Sequence, residues 1–183
     1  MEPSLRTTLG VKGFRPQVKT NDCKDKVYVF GAMNQVDGRL TTRLVKVVKD
    51  CKRKWGISKM KLMQANFAKF LMQVGRAYPG EKHKRVVIII DRAIWHFGEP
   101  IREVLKTLPH LELYELPSNS PHLNVIERFW RILRRRATHN RFFESMDELC
   151  KTLRNNLCYY QTIRSKVMSL IECPKKRAKN QAV

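Results

Sequence analysis

Two carboxylates in the sequence have the types and positions needed to bind a hard metal ion. Asp91 directly follows the β-branched run Val86–Ile90, and Glu127, separated from Asp91 by 35 residues, stands in the first turn of a helical pattern. Ligands of open α/β sheets bind beyond the carboxyl ends of the strands. Two carboxylates brought together there can share Mg²⁺, which takes oxygen ligands and keeps several waters. A pair of such ions, about 3.5–4 Å apart, would stabilise both oxygens of a phosphodiester transfer.

Each of these residues also has a structural alternative. Asp91 could cap a helix or close a loop, and Asn124 could be the N-cap of a capping box in which Glu127 is the third helical residue. Both interpretations of Glu127 can hold together if one carboxylate oxygen stays free. His96 could pack at the strand end or bond to the loop; alternatively, it could support a metal ligand or contact a DNA backbone. Asn124 is the other residue that could support a metal ligand.

The elements that must position these residues begin with a hairpin and a long helix. Asp37-Gly38 between two β-type segments is a strong hairpin signal. Ser58 can cap a helix that carries one apolar stripe, and Pro79-Gly80 ends it. The predicted elements are a strand over 26–35, a strand over 40–48, an irregular basic stretch over 49–55 and a helix over 59–78.

The middle of the chain predicts a strand, a helix and a second strand. The run Val86–Ile90 is typical of a strand buried on both faces. Pro100 suits the first turn of a short helix, and residues 111–116 form a second buried strand. This order favours a parallel pair joined by a right-handed crossover. Helices follow from Asn124, from the capping box that begins at Ser145, and over 162–171, so the fold class is α/β.

Composition limits the function to a few classes. The 183 residues fit one domain, and 43% hydrophobic residues suffice for a core. The net charge of +21 indicates a polyanionic partner, most commonly nucleic acid. No apolar run of about 18 residues exists, so we expect no membrane span. The five cysteines are odd in number and form no C-x-x-C pair, which disfavours a zinc site and a disulfide framework.

Basic residues form two clusters that few acids balance. A charge run is often only a solvated face, but one of these runs lies on the helix that carries Glu127. Contacts to phosphates would position DNA without reading its sequence. The candidate DNA-binding residues are Lys52, Arg53, Lys54, Arg128, Arg131, Arg134, Arg135 and Arg136.

An ordered set of motifs resembles the catalytic domain of bacterial insertion-sequence transposases in the mariner superfamily. The resemblance extends from about Pro3 to Ile171, and the order and spacing of its motifs together make it specific. The motifs are residues 77–79 (AYP), 90–96 (IDRAIWH), 116–130 (LPSNSPHLNVIERFW) and 134–143 (RRRATHNRFF).

The resemblance implies a ribonuclease-H-like fold, shared with retroviral integrases, and Mg²⁺ or Mn²⁺ chemistry on DNA ends. It implies that Asp91 is the second carboxylate of a DDE triad and Glu127 the third. The first carboxylate would lie on a strand upstream of Pro3, so the expected sheet lacks its first strand. We therefore expect residues 1–20 to be a connector, 21–172 the catalytic domain and 173–183 a basic tail.

The expected function is DNA transposition by metal-dependent hydrolysis and strand transfer at transposon ends, with little activity for this chain alone. The alternative is a non-catalytic DNA-binding fragment that regulates or complements the full enzyme. The expected partners are transposon-end and target DNA and another transposase chain or upstream fragment. The expected location is the bacterial cytoplasm, with the nucleoid. A generic RNA-associated protein would leave the ordered motifs unexplained.

A missing central strand would also affect stability. The hairpin and the strand that ends at Asp91 would then have unpaired edges, which favour aggregation. The sequence therefore predicts a marginally stable domain unless another chain supplies the strand.

Overall fold

A computed structural model describes residues 25–118, 120 and 123–171. Two small sheets and six α-helices make up this part of the chain. The predicted connector over 1–20 and the tail over 173–183 lie outside the described residues. Within the described residues, no helix combines the length and the apolar character that a membrane span requires.

The hairpin consists of β1 (Lys26–Met33) and β2 (Leu40–Val47). The two strands are antiparallel, with Met33 opposite Leu40 next to the turn. Gly38 has a φ of +69°, a left-handed conformation that glycine adopts without strain. The hairpin prediction is confirmed, with each strand ending one or two residues earlier than expected.

Two helices follow the hairpin. The stretch over 49–55, predicted to be irregular, contains the short helix α1 (Cys51–Trp55), so that prediction is wrong. The second helix, α2 (Lys59–Ala77), begins as predicted, because Ser58 Oγ accepts a hydrogen bond of 3.3 Å from the backbone N–H of Lys61. Its apolar stripe is buried and forms much of one core.

The predicted crossover unit is present. It consists of β3 (Val86–Ile90), α3 (Glu99–Thr107) and β4 (Leu111–Glu115), and the two strands are parallel. The prediction that β3 is buried on both faces is wrong, and so is the prediction that β4 is a buried strand, since only Leu111 of its five residues is buried. In β3 only Ile88 and Ile90 are buried, while Val87 and Ile89 are about half exposed because no described element covers that face.

Three helices complete the described chain: α4 (Ile126–Ala137), α5 (Met146–Thr162) and α6 (Arg164–Ile171). Ser145 caps α5 by accepting a hydrogen bond of 3.1 Å from the backbone N–H of Glu148. The carboxylate of Glu148 returns to the N–H of Glu144, one residue before the position expected for a capping box. The predicted helices are thus confirmed, with small shifts at their ends.

The hairpin lies between two hydrophobic cores. Val27 and Leu40 pack with α4, α5 and α6, whereas Phe30 and Val45 pack with α2 and β3. Within the described residues, β1 pairs only with β2 and β3 pairs only with β4. The described part of the chain therefore holds two separate two-stranded sheets where a continuous mixed sheet would need one more strand.

Candidate metal and DNA site

A cleft of about 610 Å³ separates the two sheets. Strand β1 forms one wall, β3 forms the other, and apolar side chains of α2 line it as well. The four residues that the sequence places at a metal site all line this cleft; they are Asp91, His96, Asn124 and Glu127. The two carboxylates, which 35 residues separate in the chain, thus line the same cleft.

Asp91 lies at the carboxyl end of β3, where its side chain is 62% exposed. Its Oδ1 accepts a hydrogen bond of 3.2 Å from the backbone N–H of Ala93, in a turn that starts the loop. The ring Nδ1 of His96 lies 3.0 Å from the same oxygen and 3.1 Å from the backbone carbonyl of Asp91. A carbonyl can only accept, so Nδ1 carries the proton and donates to both oxygens.

These contacts affect the charge of Asp91. The hydrogen bond from His96 holds the pKa of Asp91 below its ordinary value, although partial burial opposes this. The N–H of Ala93 acts in the same direction as His96. Asp91 is therefore ionised at neutral pH, as a ligand for a divalent cation must be.

His96 packs at the strand end and bonds to the backbone there, as both structural interpretations predict, and it also contacts the Asp91 carboxylate. Its ring centroid lies 4.3 Å from that of Phe67 and 6.3 Å from that of Phe30, so aromatic packing fixes the ring. Only 12% of the His96 side chain is exposed. A rigid imidazole in this position limits the orientations that the Asp91 carboxylate can adopt.

The loop after Asp91 is fastened to α2. The amide of Gln64 donates a hydrogen bond of 2.6 Å to the backbone carbonyl of Phe97. Gly98 has a φ of +123°, and a Cβ there would lie 2.5 Å from the Gln64 amide nitrogen. Residues other than glycine rarely adopt this backbone conformation, so a side chain at Gly98 would strain the loop that carries His96.

Glu127 is half-buried in the first turn of α4. The helix begins one residue later than a capping box requires, with Val125 at its N-cap position. The side-chain carbonyl of Asn124 accepts only a weak bond of 3.4 Å from the N–H of Ile126, and Glu127 makes no bond to the Asn124 backbone N–H. The capping-box alternative is therefore wrong.

The start of α4 packs closely on the hairpin. A Cβ at Gly31 in β1 would lie 2.6 Å from the ring of Trp130 and 3.1 Å from the side chain of Ile126. Trp130 is a core residue, 9% exposed. Since Ile126 and Trp130 flank Glu127 along the helix, the absence of a side chain at Gly31 helps to set the position of Glu127.

Arg92 makes contacts next to Asp91 that the motif spacing does not predict. Its guanidinium donates a hydrogen bond of 3.0 Å to Ser118 Oγ and lies 3.5 Å from the carboxylate of Glu115. These contacts link the carboxyl ends of β3 and β4. An arginine next to a carboxylate at a strand end could have suggested such a link, but its partners depend on the parallel register of the two strands.

The predicted DNA-binding residues are exposed but lie outside the cleft lining. Those of α1 are Lys52, Arg53 and Lys54, and those of α4 are Arg128, Arg131, Arg134, Arg135 and Arg136. On α4, helical geometry places Arg131 and Arg134 on the same face as Glu127. Arg136 has a structural contact, because it donates a hydrogen bond of 3.0 Å to the hydroxyl of Tyr160.

The side chains that line the cleft could provide only some of the ligands that a metal ion needs. Carboxylate oxygens from Asp91 and Glu127 suit Mg²⁺ or Mn²⁺, and the remaining positions could be filled by water. Over the described ranges, however, no group of three or more His, Cys, Asp or Glu side chains is arranged to hold a metal ion. A role of the two carboxylates as metal ligands therefore stays a prediction.

Comparison with known families identifies the chain. The family model of the DDE superfamily endonucleases matches residues 2–150. The chain therefore belongs to the DDE superfamily endonucleases.

Two curated relatives illustrate this similarity. The "Insertion element IS630 uncharacterized 39 kDa protein" of Shigella sonnei is 25% identical over 155 residues, which cover 85% of this chain and 40% of that protein. The "Uncharacterized protein y4pE/y4sA" of Sinorhizobium fredii is 33% identical over 79 residues, which cover 43% of this chain and 54% of that protein. The chain spans about half the length of the curated relatives it matches.

Solved structures confirm the fold. The Mos1 mariner paired-end complex with Mn has a TM-score of 0.59 at 18% identity, and the match covers 93% of this chain and 50% of that chain. The Mos1 strand transfer complex has a TM-score of 0.56 at 18% identity, covering 93% and 48%. The expected α/β, ribonuclease-H-like fold is confirmed.

Proposed function

We propose that this chain provides two of the metal-binding carboxylates, and much of the DNA-binding surface, of a DNA transposase. The observation that carries the proposal is that Asp91 and Glu127 line the same cleft in a chain of the DDE superfamily. The similarity of the fold to a Mos1 paired-end complex with Mn and to one with the left transposon end supports a divalent metal and transposon-end DNA as the ligands.

In this proposal, each residue has a defined role. Asp91 and Glu127 supply oxygen ligands, while His96 keeps the Asp91 carboxylate oriented through Nδ1. The bound metal ions would activate the attacking hydroxyl and stabilise the charge that develops on the phosphate. The reactions would be hydrolysis at a transposon end and transesterification into target DNA, with the protein acting on DNA of the bacterial nucleoid.

The exposed arginines of α4 would hold the DNA backbone beside the carboxylates. Arg131 and Arg134 are placed for this role by sharing a face with Glu127. The basic residues of α1 would add contacts at a second position. Since phosphates are contacted and bases are not, this surface would bind DNA with strong salt dependence and little sequence preference.

Metal binding tests the proposal directly. Mn²⁺ titrated into the purified chain, followed by electron paramagnetic resonance, should show binding that Asp91→Asn and Glu127→Gln each weaken at least about tenfold. The matched control is Glu103→Gln, an exposed carboxylate of α3 that does not line the cleft. Equal Mn²⁺ affinity in all four proteins would refute the assignment of the two carboxylates.

DNA binding tests the basic surface. The double variant Arg131→Ala, Arg134→Ala should lower duplex affinity and reduce the slope of log K against log salt by about 2, one unit for each lost phosphate contact. Arg76→Ala, on the exposed side of α2, is the matched control for loss of a positive charge. The same loss of affinity in the control would show that only the net charge matters.

A second function, a non-catalytic DNA-binding fragment that regulates or complements the full enzyme, is favoured by a specific observation. The described residues contain no cluster of three or more metal-ligating side chains. In that case Asp91→Asn leaves the DNA affinity unchanged or higher, and the chain shows no Mg²⁺-dependent strand transfer alone. Strand transfer by the purified 183-residue chain would exclude this alternative.

A further inference from the structure

An arginine stands at the carboxyl ends of the two parallel strands, directly after the carboxylate of Asp91. The guanidinium of Arg92 donates a hydrogen bond of 3.0 Å from Nη1 to Ser118 Oγ. Its Nε lies 3.5 Å from a carboxylate oxygen of Glu115. We propose that Arg92 binds a backbone phosphate of DNA beside Asp91, while Ser118 and Glu115 hold its guanidinium in position.

The guanidinium has donors left for a ligand. Arginine carries five N–H groups in a planar fork and keeps its positive charge in proteins. The contacts with Ser118 and Glu115 involve Nη1 and Nε, so within the described residues the two N–H groups of Nη2 make no hydrogen bond. The Arg92 side chain is 58% exposed, and a ligand in solution can therefore reach them. A planar fork of donors is the geometry that binds two phosphate oxygens at once.

The position of Arg92 relates it to the candidate metal site. Consecutive Cα atoms are about 3.8 Å apart, so a DNA strand that approaches the Asp91 carboxylate comes within reach of the Arg92 side chain. Glu115 is opposite Ile90 in the parallel register and adds a second negative charge at this end of the sheet. Both carboxylates repel DNA, and a cation between them offsets part of that repulsion. This inference rests on the proposed function, which names DNA as the ligand.

The contact between Arg92 and Glu115 is one that a phosphate can replace. Its 3.5 Å separation is long for a charge-assisted hydrogen bond, and the two side chains are 58% and 45% exposed. Ion pairs this exposed contribute little to stability, because water screens them. Variants at either position should therefore fold normally. A DNA phosphate would compete with the Glu115 carboxylate for the same guanidinium, so Glu115 should weaken DNA binding through Arg92.

DNA binding by the full 183-residue chain tests the contact, with a short fluorescein-labelled duplex, anisotropy as the readout and EDTA in place of metal. Arg92→Gln should weaken binding by about fivefold and lower the slope of log K against log salt by about 1, the value for one lost phosphate contact. Arg92→Lys should keep the slope, because the charge remains, and recover only part of the affinity, because an ammonium lacks the planar fork.

Arg102 provides the matched control for the loss of one positive charge. It lies 3.5 Å from the carboxylate of Glu99 on α3, and its side chain is 70% exposed, so it forms the same kind of surface pair as Arg92. Arg102→Gln should leave the duplex affinity within about twofold and the salt slope unchanged, because no phosphate contact is lost.

Glu115→Gln separates a phosphate contact from a structural role of Arg92. It should raise the duplex affinity by about threefold, since the guanidinium is released from a competing carboxylate. Most of this gain should disappear in the Arg92→Gln background, because the effect of Glu115 passes through Arg92. Glu99→Gln, the matched change beside Arg102, should give no such gain.

Mn²⁺ binding distinguishes a phosphate contact from a residue that only positions Asp91. Measured by electron paramagnetic resonance without DNA, Arg92→Gln should leave the Mn²⁺ affinity within about twofold or raise it, because a guanidinium has no acceptor for a metal ion. A fall of about tenfold in Mn²⁺ affinity with an unchanged duplex affinity would make Arg92 a support of the metal ligand and overturn the proposal.

Other results would also overturn it. They are an unchanged duplex affinity and salt slope in Arg92→Gln, an equal loss in Arg102→Gln, and a gain from Glu115→Gln that is fully kept without Arg92. Inorganic phosphate at constant ionic strength should not displace the duplex, and displacement that depends on Arg92 would assign the contact to free phosphate instead of DNA. If Arg131→Ala, Arg134→Ala weakens DNA binding and Arg92→Gln does not, this inference fails and the proposed function stands. Absence of duplex binding by the unchanged chain would instead refute DNA as the ligand of the proposed function.

Discussion

Replacement of Gly31 by alanine should destabilise the protein through a contact that can be located. The added methyl carbon would lie 2.6 Å and 2.8 Å from two ring carbons of Trp130. Forcing extra volume into a packed core costs about 1–3 kcal/mol. Alanine in place of glycine within a strand recovers about 0.5–1 kcal/mol. We therefore expect Gly31→Ala to lower the free energy of unfolding by about 1–2 kcal/mol.

Urea denaturation followed by circular dichroism measures this difference. The midpoint should fall with an unchanged m-value, and the melting temperature should fall by about 2–8 °C for a chain of this size. Trp130→Leu removes the ring that the new methyl group meets. In that background Gly31→Ala should cost less than about 0.5 kcal/mol, which gives a coupling energy of about 1 kcal/mol or more.

An equal cost of Gly31→Ala in both backgrounds would show that the contact with Trp130 is not its cause. A stabilising effect of Gly31→Ala in the wild-type background would refute the close approach altogether. The prediction also concerns the candidate site, since Trp130 lies one helical turn from Glu127 and a shift of the ring would move the start of α4.

Three further changes test other parts of the structure. Ser145→Ala should cost about 1 kcal/mol of stability in urea denaturation by removing the cap of α5, and Ser169→Ala, at an exposed hydroxyl of α6, should cost less. The hydrogen bonds from Arg85 hold the pKa of Glu112 below its ordinary value. The stabilisation that these hydrogen bonds give is therefore fully present above the pKa that Glu112 has in the unfolded chain. It is lost as the pH falls through the lower pKa that Glu112 has in the folded chain. Glu112→Gln should therefore make the melting temperature depend less on pH in the acid range. Gly98→Ala should speed hydrogen exchange in the loop that carries His96, because alanine is strained at a φ of +123°. Unchanged exchange would show that the loop does not depend on this backbone conformation.

Most helices and strands could be predicted because their signals are local. Ser58, Asp37-Gly38 and Pro100 each begin or turn an element through their own backbone or side-chain chemistry. The short helix α1 has local signals at its ends, with Asp50 at its N-cap and Gly56 in the left-handed conformation at its C-cap, but no apolar period fits its five residues. Burial of Cys51, which depends on the tertiary structure, is the contact that its sequence does not predict.

The burial of β3 could not be predicted from its composition. Five consecutive β-branched residues indicate a strand covered on both faces, but covering requires other elements that the sequence of the strand does not specify. In the described chain, Val87 and Ile89 have no such cover. Similarly, the spacing of Asp91 and His96 leaves several roles open, and only the packing of the ring on Phe67 determines that Nδ1 points at the carboxylate.

The two candidate metal ligands belong to different halves of the fold. Asp91 follows β3, whose buried side chains pack in the core with α2, whereas Glu127 lies on α4, which packs in the core with α5 and α6. In the described chain, the hairpin is the element that contributes to both cores, and the cleft lies between its first strand and β3. The relative position of the two carboxylates therefore depends on a hairpin that is packed from both sides.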